Sequence, residues 1–190
     1  MSILFPKERL HPSHHDAAII FLVGPDAGGG GWQYQMYGRI VYHAAEHGLD
    51  TFVVVIPRRV TRSDVMWQFR FNDSVTGFEY QLDWEREYIR LAALDARRGC
   101  VAAWLPREST TDPRTDGQPY ARDTRGELGE IRGWMSFVPS TRFVMGAEDG
   151  FPGLDVIRRN FNAVVSGVFP IYESIDDLAR GAVRVAKRAR

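Results

Sequence analysis

The feature that most constrains this chain is a set of short, unbroken apolar runs, each stopped by Gly or Pro and separated by stretches of helical period. Ala17 to Val23 (AAIIFLV) ends at Gly24-Pro25, Thr51 to Ile56 (TFVVVI) ends at Pro57, and Cys100 to Leu105 (CVAAWL) ends at Pro106. Runs this short, without polar alternation and rich in β-branched residues, predict strands buried on both faces, the pattern of a parallel sheet. Gln33 to His47 places Met36, Ile40, Ala44 and His47 on one helical face and stops at Gly48, a natural C-cap. Leu82 to Leu94 carries Trp84, Tyr88 and Leu91 on one stripe, and Thr124 to Phe137 carries Leu128, Ile131 and Met135. Phe143 to Gly146 and Ala163 to Phe169 complete five predicted strands; Leu154 to Phe161 is a short helix, and Ser174 with Asp177 caps the last. The expected fold is α/β: a parallel five-stranded sheet with helices on both faces, of the flavodoxin-like or Rossmann-like kind.

Length and charge narrow the partner. The 190 residues suit one domain, expected over residues 17–190, with residues 1–16 as a flexible leader. Lys plus Arg equals Asp plus Glu at 24 each, so no net field recommends a nucleic acid polymer or an anionic membrane. No apolar stretch approaches the ~20 residues of a membrane span. The one cysteine, Cys100, lies in a strand and fits a reducing cytoplasm. His11, His14 and His15 belong to the leader and are read as a solvated tail, so neither a metal nor a cofactor is expected. A small molecule is the expected partner.

Ligands of parallel α/β sheets bind beyond the carboxyl ends of the strands. That edge collects Gly24, Pro25, Asp26 and Gly28 after the first strand, Arg58 and Arg59 after the second, and a Thr-, Asp- and Pro-rich loop from Glu108 to Asp123 after the third. The glycines lack the Lys-Ser/Thr of a P-loop and the spacing of a dinucleotide fingerprint, so they either cradle a phosphate or simply let a ligand approach the backbone. Arg58, Arg59 and Arg125 either grip a 5′-phosphate or are solvated surface arginines. No Gly-x-Ser-x-Gly elbow occurs, and Cys100 is inside a strand, which leaves carboxylates to do chemistry. Glu127 stands at the start of a helix facing this edge. It also fits a plain structural role, because Thr124 and Glu127 have the form of a capping box.

Three segments carry a resemblance to the nucleoside 2-deoxyribosyltransferase superfamily, which includes nucleotide N-glycosidases. Ile20-Phe21-Leu22-Val23-Gly24-Pro25, with the glycines and Tyr37-Gly38-Arg39-Ile40-Val41, resembles its first strand, glycine loop and tyrosine-bearing helix. Ala103-Trp104-Leu105-Pro106 is similar to its third-strand ending, and Tyr120-Ala121-Arg122-Asp123-Thr124-Arg125-Gly126-Glu127-Leu128-Gly129-Glu130 to its nucleophile segment. The resemblance implies cleavage or exchange of an N-glycosidic bond in a nucleoside or nucleotide. Glu127 would be the nucleophile of a covalent glycosyl-enzyme, and Tyr37 would lie in the sugar or phosphate pocket, a position that a core role on the helix suits equally. It further implies a homo-oligomer, for which Trp67, Phe69, Trp84 and Trp134 would supply an aromatic interface or, equally, core. The chain departs from the family at Gly99-Cys100, where Ala-Asp is usual, and at Ala121, where a polar residue is usual. Asp83, Glu85 and Asp95 are the substitutes for the missing acid, with Asp83 favoured. A nucleotide-binding sensor on the same scaffold is the alternative.

Overall fold

A computed structural model describes residues 2–10, 16–58, 60, 63–69 and 75–188. Its elements are β1 (Ser2–Leu4), β2 (Glu8–Arg9), β3 (Ala18–Val23), α1 (Trp32–His47), β4 (Phe52–Val55), β5 (Val75–Thr76), α2 (Gln81–Arg90), β6 (Gly99–Leu105), α3 (Arg122–Phe137), β7 (Phe143–Ala147), α4 (Leu154–Asn162), β8 (Ile171–Tyr172) and α5 (Ile175–Lys187). A six-stranded sheet runs β1-β4-β3-β6-β7-β8, with every described ladder parallel. The small pair β2-β5 is antiparallel.

The apolar runs become the sheet because their alternate residues serve two cores. Ile19, Phe21 and Val23 pack in one cluster with Trp84 of α2, Leu128 and Ile131 of α3, and Phe161 of α4. Ala18, Ile20 and Leu22 pack in the other with Met36 and Ile40 of α1 and Leu178 and Val183 of α5. All residues of β3 and β6 are buried, as central strands in a dry sheet require. Gly48 ends α1 in the left-handed conformation and returns its N–H to Ala44 and Ala45. Ser174 accepts from the Asp177 N–H at 3.1 Å and so starts α5.

Two expectations are corrected. The N-terminus is not wholly a free leader: Ser2–Leu4 pairs with Val53–Val55 as an edge strand, and Trp84 Nε1 donates to the Glu8 carbonyl at 2.7 Å. The segment is too short to bury an apolar face alone, so only pairing reveals it. His11, His14 and His15 lie outside the described residues, as do Arg59 and Phe71. Ala163 to Phe169 is not a strand; the last strand is Ile171–Tyr172. Gly167 turns the chain at φ 112, and Phe169 drops into an aromatic cluster with Phe143 and Phe161 rather than joining a ladder. Of the two roles open to Trp67, Phe69, Trp84 and Trp134, the structure shows packing within the chain for each. Trp84 is fully buried, Trp67 stacks on Phe5 at 6.2 Å, Phe69 packs on Tyr37 at 5.1 Å, and Trp134 lies against the core. Among the described residues no helix is long and apolar enough to cross a membrane.

Candidate active site

The carboxyl ends of β3 and β4 open into a cavity of about 780 Å³. Its walls come from Gly24, Pro25, Asp26 and Ala27 after β3, Pro57 after β4, one stripe of α2, and the first two turns of α3. Gly24 is obligatory here. At φ 155 any Cβ would sit 2.4 Å from the Trp104 carbonyl oxygen and 2.5 Å from the Trp32 ring, so only hydrogen lets the chain turn out of the sheet between them. Trp32 Nε1 then holds the turn by donating to the Pro25 carbonyl at 2.9 Å.

Glu127 lines this cavity, partly buried, and its carboxyl makes no hydrogen bond or ion pair among the described residues. The capping-box explanation for it does not hold. Helix α3 starts two residues earlier than the sequence implies, at Arg122, with Ala121 as its N-cap, and Thr124 is buried within the first turn. Glu127 therefore stands beyond the orphan N–H groups a capping side chain would serve. Its acidity is strongly altered: burial, then the charges of Glu85, Asp123 and Glu130, push its pKa up to about 8. Asp26, on the opposite wall, is also raised by burial, against the opposing pull of Arg58 and the Gln33 hydrogen bond.

The cavity gathers some of the expected residues and leaves others out. Gly24, Pro25, Asp26 and Glu127 come together. Asp83 does not; it is exposed on the far side of α2, where Trp84 and Tyr88 turn inward and Gln81, Glu85 and Ile89, one helical turn apart, face the cavity. Glu85 is the α2 acid on the site. Tyr37 is a core residue: it is 3 % exposed, packs in the α1-α5 cluster, and its buried hydroxyl has no partner among the described residues, which pushes its pKa up to about 12. Gly28 lies beneath the loop after β6 rather than in the cavity wall; its carbonyl accepts from Ser109 N at 2.7 Å, and its left-handed φ of 78 leaves room for Tyr120.

The arginines are likewise redistributed. Arg125 ties two loops, donating to the carbonyls of Tyr120 and Pro152 at 2.7 Å each while its guanidinium covers Phe151. Arg58 pairs with Asp26 at 3.5 Å and Asp64 at 3.7 Å, behind the cavity wall. The guanidiniums on the cavity are those of Arg86, Arg114 and Arg122. Arg114 is gripped by Asp116 through two hydrogen bonds and Arg122 reaches Asp123 and Gln118, whereas Arg86 has no ion-pair partner among the described residues. A sequence signal for this stripe exists: Asp123, Glu127 and Glu130 recur at i, i+4, i+7, and Gln81, Glu85 and Ile89 at i, i+4, i+8.

The loop from Glu108 to Tyr120 is tied down over the glycines. Tyr120 Oη donates to the Pro106 carbonyl at 2.8 Å, and Glu108 accepts from the Arg114 N–H at 3.1 Å. It ends at Ala121, a buried non-glycine residue at φ 56 on the cavity wall. Left-handed alanine costs about 1–2 kcal/mol, and the packing around it sustains that strain. Chemically, the arrangement offers a carboxyl of raised pKa with further acids and arginines around it. It suits a substrate whose reacting centre becomes positive and whose remote end is anionic. No family model, no curated protein and no solved structure matches this chain.

Proposed function

We propose that the chain cleaves the N-glycosidic bond of a nucleoside or nucleotide through a covalent glycosyl-Glu127 intermediate. The observation that carries this is the Glu127 carboxyl: partly buried, free of hydrogen bonds and ion pairs among the described residues, and standing on a cavity at the carboxyl edge of a parallel sheet. A structural carboxylate in such a place is normally paired, whereas a reacting one is kept free. The strand order supports the scaffold. Counting from β3 and setting aside the N-terminal edge strand, it reads 2-1-3-4-5, the flavodoxin-like doubly wound order, whose ligands bind at the crevice where the order reverses.

In this mechanism ionised Glu127 attacks the anomeric carbon, the carbon–nitrogen bond breaks, and the base departs with the electron pair and takes a proton from water. Water or a second base then displaces the sugar from Glu127. Asp123 and Glu130 stabilise the positive charge that develops on the sugar ring. Arg86 and Arg122 hold a 5′-phosphate. Hydrolysis is favoured over transfer, since Ala121 gives an incoming base no polar side chain to bind at that wall. The reading is tested by incubating the protein with nucleosides and nucleotides and following free base and free sugar by chromatography, with and without an excess of a second base. Base released in step with sugar supports hydrolysis, a new nucleoside forming faster than free sugar identifies transfer, and no released base from any of them overturns the enzyme.

One observation favours the sensor as second reading. With its pKa near 8, Glu127 keeps its proton at neutral pH in the free protein, and a neutral carboxyl donates a hydrogen bond rather than attacking. The two are separated by pH. As an enzyme using Glu127 as nucleophile, kcat/KM climbs tenfold per unit up to about pH 8 and then levels. A sensor shows ligand-induced stabilisation without turnover at any pH.

A further inference from the structure

On the other core, α1 carries His43, Glu46 and His47, a His-x-x-Glu-His spacing that sets both imidazoles one turn apart with a carboxylate between them. We propose that these three side chains bind a divalent transition-metal ion of the zinc type, with Asp176 of α5 as the carboxylate behind His43. One ligand atom from each of the three lies within 4.8 Å of the others. The His43 ring is buried and bridges two acids: Nδ1 lies 2.9 Å from Glu46 Oε2 and Nε2 lies 3.1 Å from Asp176 Oδ1. A neutral imidazole has one N–H and serves one of them. Asp176 is also held by Arg180 at 2.8 Å and by Arg39 at 3.5 Å. With the Nε2–H given to Asp176, Nδ1 is the ring atom left to bind a cation shared with Glu46.

His47 independently points to the same place. Its Nε2 atom is buried without a hydrogen-bond partner and stands 3.9 Å from the same Glu46 oxygen. Two imidazoles and a carboxylate are the donor set of an open zinc site, and a carboxylate behind one ligating histidine is the usual orienting partner. In a tetrahedral site with bonds of about 2.1 Å the ligand atoms stand roughly 3.4 Å apart. Such a site requires the half-exposed Glu46 carboxylate and the His47 ring to rotate from the observed distances of 2.9 and 3.9 Å. None of these residues lines the Glu127 cavity, so the proposal stands apart from the glycosidase reading.

The test uses the full chain stripped with a chelator and titrated with Zn²⁺ by calorimetry and with Co²⁺ by visible absorption. Expected are one equivalent bound, intense four-coordinate Co²⁺ bands, and a melting temperature that rises to saturation with Zn²⁺. Glu46→Gln and His47→Gln each weaken binding at least tenfold, while the stripped variants melt close to the stripped parent. Asp176→Asn weakens it by about 10- to 100-fold. A chain with His11, His14 and His15 all changed to Ala binds as the parent does. No saturable binding, binding indifferent to His47→Gln, or binding lost with the three N-terminal histidines overturns the site.

Discussion

Replacing Glu127 by Gln removes the carboxyl proposed to react and, by the physics that raises its pKa, should stabilise the fold. An unfolded glutamate titrates near its ordinary value of 4.5, whereas burial and the neighbouring acids raise Glu127 to about 8 in the folded chain. Between those values the folded protein holds a proton that the unfolded chain has released. Stability from this group is therefore complete below pH 4.5 and declines as pH rises toward 8, at about 1.4 kcal/mol per unit. By pH 7 the decline amounts to about 3 kcal/mol, a ceiling that local relaxation lowers. The amide has no such penalty. Glu127→Gln should match the parent near pH 4.5 and exceed it at pH 7 by up to about 3 kcal/mol, equivalent to a melting temperature higher by roughly 6–12 °C for a chain of this size. Urea unfolding of both proteins at pH 4.5, 6 and 7.5 measures it. A pH-independent difference, or a variant less stable than the parent at pH 7, would refute the claim that Glu127 is held protonated. Turnover should meanwhile be lost; retention of a tenth of it, worth only about 1.4 kcal/mol in barrier height, would refute the nucleophile.

Four further outcomes are expected. Glu85→Gln removes a negative neighbour, so the rising limb of the kcat/KM profile moves to lower pH; a limb that stays in place means the two carboxyls do not sense each other. Arg125→Ala costs about 1–3 kcal/mol of stability by freeing the Tyr120 and Pro152 carbonyls and slows nucleosides and nucleotides alike. Arg86→Ala slows nucleotides alone, and steady-state kinetics on a matched pair of substrates separates the two. Gly24→Ala drives a methyl group into the Trp104 carbonyl and the Trp32 ring, costing about 1–3 kcal/mol or more; a thermal melt within 2 °C of the parent, roughly the effect of under 1 kcal/mol, would show that the turn can shift.

Much of the architecture was legible because it is written in local chemistry. Residues 17–23, 51–56 and 100–105 have nowhere to go but the middle of a sheet, and Gly48 and Ser174 mark helix ends by backbone geometry that any reader of the sequence can anticipate. The edge strand Ser2–Leu4 and the two-residue β8 were not legible, because a strand that short is defined by its partner's hydrogen bonds rather than by its own pattern. The site divides the same way. Glu127 and the Gly24-Pro25-Asp26 turn follow from their position after strands, and the structure brings them together. Asp83, Tyr37 and Arg125 shared the right neighbourhood in sequence, yet a helix turns 100° per residue, so one step decides between cavity, core and solvent. The sequence alone therefore determined which edge of the sheet opens into the cavity and which carboxyl stands on it. Only tertiary packing decided that Glu85 and not Asp83 lines the cavity, that Arg86 and not Arg125 does, and that His43 meets Asp176 across 133 residues, since burial and pairing are properties of neighbours that the chain brings from afar.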